Sequence, residues 1–85
     1  MKLIDKVREA WESLEETDVT IVDVSSERRY AFIDGNGAEL LSVSASEIKE
    51  APVYVREKFA IPEKNVFHVL LAFGGWLSED DHALA

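Results

Sequence analysis

The chain has 85 residues, with seventeen Asp and Glu against nine Lys and Arg, a net charge of −8, and no cysteine. One domain is all this length accommodates, disulfides and thiolate metal sites are excluded, and the acidity argues against direct binding to nucleic acid or an anionic membrane, since both need a cationic footprint. A hydrophobic content of 47%, with two Trp, two Tyr and four Phe, marks a folding chain rather than a disordered one.

The opening "MKLIDKVREAW" carries charges every few residues and has no apolar segment of signal-peptide type. No apolar run approaches the ~20 residues of a membrane span. The expectation is a cytoplasmic protein without a cofactor.

Leu3, Ile4, Val7, Ala10, Trp11 and Leu14 recur at steps of three and four, which predicts an amphipathic helix over about residues 2–16. Lys2, Lys6 and Arg8 come early in it and Glu12, Glu15 and Glu16 late. That order opposes the helix dipole, at a few tenths of a kcal/mol per exposed charge. An Arg8–Glu12 pair at i, i+4 would offset part of the cost. A sequence built for helix stability alone would have the reverse order, so the late acids point to another role.

"DVTIVDV", residues 18–24, is β-branched and apolar on both sides, which predicts a central strand. "SSE" reads as a turn. "RRYAFID" alternates, with Tyr30 and Phe32 on one face. "DGNG", residues 34–37, predicts a type I′ hairpin turn. Its register places Phe32 opposite Leu41 and Tyr30 opposite Val43 in a third strand, "AELLSVS". Asp34 would then oppose Glu39, an unfavourable pair that keeps a four-residue loop open as an alternative.

Ser44-x-x-Glu47 is a capping box opening a short helix to about Ala51, stopped by Pro52. Residues 53–61, "VYVREKFAI", fit a helix or a short strand, with helix preferred. Pro62 is placed to open a further helix to about Phe73, nearly encircled by apolar side chains and therefore expected to be buried. Gly74-Gly75 would end or kink it, and Ser78-x-x-Asp81 would cap a short tail. The expected fold is α+β, in the order α-β-β-β-α-α, with a three-stranded antiparallel meander packed against helices.

No residue pattern carries catalysis, so an enzyme is not expected. His68, flanked by Phe67 and Val69, reads as a core-edge histidine, and no second His stands near it to build a metal site. His82 reads as part of a solvated tail. Asp23, within its strand, is the one acid whose neighbours are apolar enough to raise a pKa. Arg28-Arg29 reads either as an anchor for phosphate or carboxylate, or as edge protection pairing with Glu27 and Asp23. Trp11 and Trp76 read as core, with Trp76 alternatively an interface anchor.

The run from Glu9 to Asp23 holds six acids and no base. Glu9, Glu12 and Glu16 share one side of the predicted helix, and Glu15 and Asp18 flank it. A solvated helix face is one reading. The other is a docking surface for a basic partner, including a protein that handles nucleic acid, with Glu9, Glu12, Glu15, Glu16, Asp18 and Asp23 standing in for phosphates. A structural alternative is homodimerisation through the apolar C-terminal helix, with Phe67, Leu71 and Trp76 at the interface. A third is a regulatory domain of helix-turn-helix type.

Three likenesses bear on these readings. The order α-β-β-β-α resembles the double-stranded-RNA-binding domain, whose second helix is basic. Here the matching segment, "PEKNVFHVLLAFGGW", has one Lys, which removes the RNA-binding function. The order with a further helix, the small size and the acidity resemble phage-encoded anti-CRISPR proteins that imitate DNA, a likeness of architecture that implies an inhibitor. "LLAFGGWLSEDD" is similar to the end of a winged-helix recognition helix, though no wing strands follow.

Overall fold

The computed structural model describes residues 1–13 and 18–84. It is an α+β fold of three helices and one antiparallel sheet. Helix α1 spans Leu3–Glu12; strands β1, β2 and β3 span Thr20–Val24, Arg29–Ile33 and Glu39–Ser44; helices α2 and α3 span Val53–Ala60 and Val66–Leu84. Short 3₁₀ turns at Ser25–Glu27 and Glu47–Glu50 complete the chain. Leu14, Glu15 and Glu16, at the end of the expected first helix, lie outside the described residues.

The sheet runs β1-β2-β3, so β1 is an edge strand and β2 the centre. This corrects the expected central placement of β1. Hairpin connections lay sequential strands side by side, and the apolar outer residue Val22 stays 43% exposed. The β2–β3 register is the one expected, Tyr30 opposite Val43 and Phe32 opposite Leu41. These side chains face the helices. Phe32 meets Phe73 at 5.7 Å and Phe59 at 6.2 Å between ring centroids, and Phe59 meets Phe73 at 5.9 Å. Each fully buried Phe contributes about 1.5–3 kcal/mol of transfer free energy.

The hairpin turn differs from the type I′ expectation. Gly37 N–H donates to the Asp34 carbonyl, and of the two glycines only Gly37 has positive φ, at +84°. That is a three-residue loop ending in a left-handed residue, with a bulge that pairs Ile33 with Glu39. The bulge removes the Asp34–Glu39 opposition. Asp34 instead accepts the N–H groups of Asn36 and Ala38 at 2.9 Å.

The capping box is present in both directions. Glu47 N–H donates to Ser44 Oγ and Ser44 N–H donates to Glu47 Oε1, each at 3.1 Å. It opens the 3₁₀ turn rather than a full helix, because Pro52 follows too soon. Residues 53–60 are helical, as preferred.

Helix α3 departs most from expectation. Asn65, not Pro62, caps it, accepting His68 N–H at 3.2 Å. The helix then continues through Gly74 and Gly75 for nineteen residues. Two interior glycines cost about 1 kcal/mol each relative to Ala. Burial of Leu77 and the attachment of Asp80 and Asp81 to α1 hold the distal half in place. Nor is α3 buried all round: Val69, Ala72, Phe73 and Leu77 face the core, while Phe67 is 62% and Leu71 59% exposed. His68 is exposed rather than at the core edge. Trp11, expected in the core, is 40% exposed, and Trp76 is half-buried against the core.

Candidate functional site

Leu3, Val7 and Ala10 pin α1 to the core, which turns Asp5, Glu9 and Glu12 to solvent. The helix has no side-chain cap of its own. Glu50 supplies one from the 3₁₀ turn, accepting Leu3 N–H at 3.0 Å. Beside it Lys6 pairs with Glu47 at 2.8 Å. Burial would raise the Glu47 carboxyl, but Lys6 and the Ser44 N–H and hydroxyl hold it below its usual 4.5.

Arg8 does not pair with Glu12 as expected. Its two terminal nitrogens reach Asp81 and Asp80 on α3, each at 2.8 Å, and keep the guanidinium firmly charged. Two carboxylates matched to the planar fork win over one flexible neighbour. Sequence reasoning missed this clip because Asp80-Asp81 reads locally as a solvated tail. Arg29 is likewise engaged, by Glu27 at 2.5 Å, by Glu39 and by Ser42 Oγ at 3.2 Å. The pairing reading of Arg29 therefore holds for Glu27 but not for Asp23. Arg28 caps its turn in the left-handed region at φ 52°.

Lys6, Arg8 and Arg29 thus consume Glu27, Glu39, Glu47, Asp80 and Asp81. Glu9, Glu12, Asp18 and Asp23 form no ion pair or side-chain hydrogen bond among the described residues. They do not form one stripe. Glu9 lines a hollow between α1 and β3 with Lys6, Leu40, Ser42 and Glu47. Glu12 lines a groove between α1 and α3. Asp18 lies at the hairpin turn, where a Cβ on Gly35 would come within 2.8 Å of its Oδ2. Asp23 is exposed on the β1 edge opposite Tyr30. Its expected apolar surroundings are absent, because an edge strand leaves it open to water. Glu15 and Glu16 lie outside the described residues.

Of the expected hydrophobic interface, Phe67 and Leu71 share one exposed face a helical turn apart. Trp76 is five residues beyond Leu71, roughly 140° further round the helix, and packs inward. The three do not form one patch. From Val66 to Ser78 the helix carries no Asp, Glu, Lys or Arg.

An apolar void of about 10 Å³, lined by Val7, Trp11, Phe32, Leu41, Leu70 and Phe73 among others, has room for about one water and offers no polar group. No three His, Asp or Glu side chains among the described residues converge in a metal-binding arrangement. No described helix is long and apolar enough to cross a membrane. No protein family, curated protein or solved structure matches this chain.

Proposed function

We propose that this protein is a small, non-catalytic interaction module that binds a basic, nucleic-acid-handling partner through its uncompensated carboxylates. One observation carries the reading. The run from Glu9 to Asp23 has six acids and no base, and Glu9, Glu12, Asp18 and Asp23 gain no ion-pair partner from elsewhere among the described residues, as also holds for Asp5, Asp34, Glu50, Glu57, Glu63 and Glu79. Fixed, unneutralised acids on a −8 protein raise the local potential and steer a cationic partner. Glu15 and Glu16 add two more carboxylates to the same run of sequence. The test is capture of partners from nuclease-treated lysate at low and high salt, with duplex DNA as competitor. The reading predicts a basic protein that is released by salt and displaced by DNA. A chain with Glu9→Gln, Glu12→Gln, Asp18→Asn and Asp23→Asn should lose it. Unchanged capture by that variant would end the proposal.

A second reading has its own support. Phe67 and Leu71, exposed on a charge-free helix face, fit self-association through α3. Light scattering across a concentration range tests it, and a monomer at every concentration would exclude it.

A further inference from the structure

The groove between α1 and α3 contains more than an acid. It is open, about 590 Å³ in volume, and lined by Arg8, Trp11, Glu12, Gly74, Leu77, Ser78, Asp81 and His82. Trp11 forms one side, and the edge of its indole sits 3.1–3.3 Å from where a Gly74 Cβ would stand. A side chain at residue 74 would crowd the ring. Glycine at this point of a helix costs about 1 kcal/mol in propensity, and here it lets α3 pack closely on the indole. Trp11 nevertheless stays 40% exposed, although burying it fully would be the favourable use of its area. Glu12, its neighbour in sequence, opens into the same groove with no counter-ion among the described residues. The Arg8 clip to Asp80 and Asp81 ties the two helices together across this groove.

We infer that this groove receives an arginine side chain of the basic partner, its guanidinium stacked on Trp11 and hydrogen-bonded to Glu12. A groove lined by a partly exposed indole and by a carboxylate without a counter-ion among the described residues suits a guanidinium in particular. The plane of the cation stacks on the ring while its N–H groups reach the carboxylate edge-on. An ammonium can do only one of these well. The same chain shows the polar half of that recognition, since Asp80 and Asp81 already hold the planar Arg8. This inference rests on the proposed function and assigns its anchor.

The experiment uses a decapeptide of arginine and one of lysine as probes, titrated at low salt into the full chain. Trp76→Phe leaves Trp11 as the sole tryptophan for fluorescence. The arginine peptide should perturb Trp11 emission and bind at least threefold tighter than the lysine peptide. By isothermal titration calorimetry in the otherwise unaltered chain, Trp11→Leu and, separately, Glu12→Gln should each weaken arginine-peptide binding about fivefold, while the control Glu63→Gln leaves it unchanged. Glu12 is exposed, so its variant does not depend on how well a Trp11 variant folds. Equal binding by the parent, Trp11→Leu and Glu12→Gln chains would overturn the groove assignment. If such binding still fell with Glu9→Gln, Asp18→Asn and Asp23→Asn together, the acidic-surface function would survive without the groove. No binding of either peptide would remove both.

Discussion

The indole of Trp11 on α1 lies against Gly74 on α3, close enough that a Cβ at residue 74 would stand 3.1 Å from the ring. The next residue, Gly75, has only Tyr54 near it, at 4.0 Å, an ordinary contact. Two adjacent glycines in one helix therefore have different consequences. Gly75→Ala should stabilise the protein by about 0.5–1 kcal/mol, the helix-propensity gain. Gly74→Ala should gain less, because the ring must move by a few tenths of an ångström. In a Trp11→Ala background the two substitutions should become equivalent. Urea unfolding of the set measures this, and equal gains in the parent chain would contradict the close contact.

Glu47 serves the capping box and the Lys6 pair at once. Glu47→Ala should cost about 1–2 kcal/mol at neutral pH, the range for a lost cap plus a partly exposed ion pair. Glu47→Gln can still accept the Ser44 N–H and should cost less. The native carboxyl is held below 4.5, so its charge-linked stability is present above that pH. That contribution is lost as pH falls through the depressed native value, where protonation breaks the pair. Thermal melts of parent and Glu47→Gln should converge once the pH is taken below that depressed native value. A gap that persists in acid would assign the effect to packing instead.

Among the described residues, backbone strain sits at one non-glycine residue, Arg28, at φ 52°. A left-handed conformation costs an L-residue about 1 kcal/mol, and the Arg28 side chain has no ion-pair partner among the described residues to offset it. Arg28→Gly should therefore raise stability by about 0.5–1 kcal/mol. Gly37→Ala, at φ +84° with nothing crowding the site, should lower it by about 1 kcal/mol for the same reason read in reverse. Chemical unfolding of both variants checks the pair of signs.

The Tyr54 hydroxyl is shut off from solvent without a hydrogen-bond partner. The Glu79 side chain lies near enough to act on the phenol. Burial first, and then Glu79, push the phenol above its usual 10. Tyr54→Phe should stabilise the fold by about 1 kcal/mol, by removing an unsatisfied buried group. In the parent chain the phenol's protonation stabilises the fold up to pH 10. That contribution disappears as pH rises through the higher native value. Absorbance titration at alkaline pH should show one tyrosine ionising late, and the signal should vanish in Tyr54→Phe.

Leu71→Glu places a charge on the outer face of α3, where the parent side chain is 59% exposed. Folding stability should change by less than about 0.5 kcal/mol, as for an ordinary surface substitution. If the parent chain self-associates through this face, the same variant should be monomeric by light scattering. A large loss of stability in the monomer would mean that Leu71 is part of the core.

Local chemistry settled much of this protein before any tertiary contact formed. The spacing of Leu3, Val7 and Ala10, the alternation through Tyr30 and Phe32, the hairpin register and the Ser44–Glu47 box all depend on neighbours within a few residues, and each is present in the fold. The excess of acid from Glu9 to Asp23 is equally a property of composition. What the tertiary structure alone decided is where that acid goes and which part of it is neutralised. Arg8 takes Asp80 and Asp81, more than seventy positions away, in place of its helical neighbour Glu12. Gly74 and Gly75, a helix end by local rule, become helix interior because Leu77 beyond them is buried and Arg8 anchors the turn that follows. Phe67 and Leu71 emerge on the outside because the sheet covers only one side of α3, and a pattern apolar all round cannot say which side that is. Ion pairing and burial depend on distance in space, and sequence separation carries no information about that distance until the chain has folded.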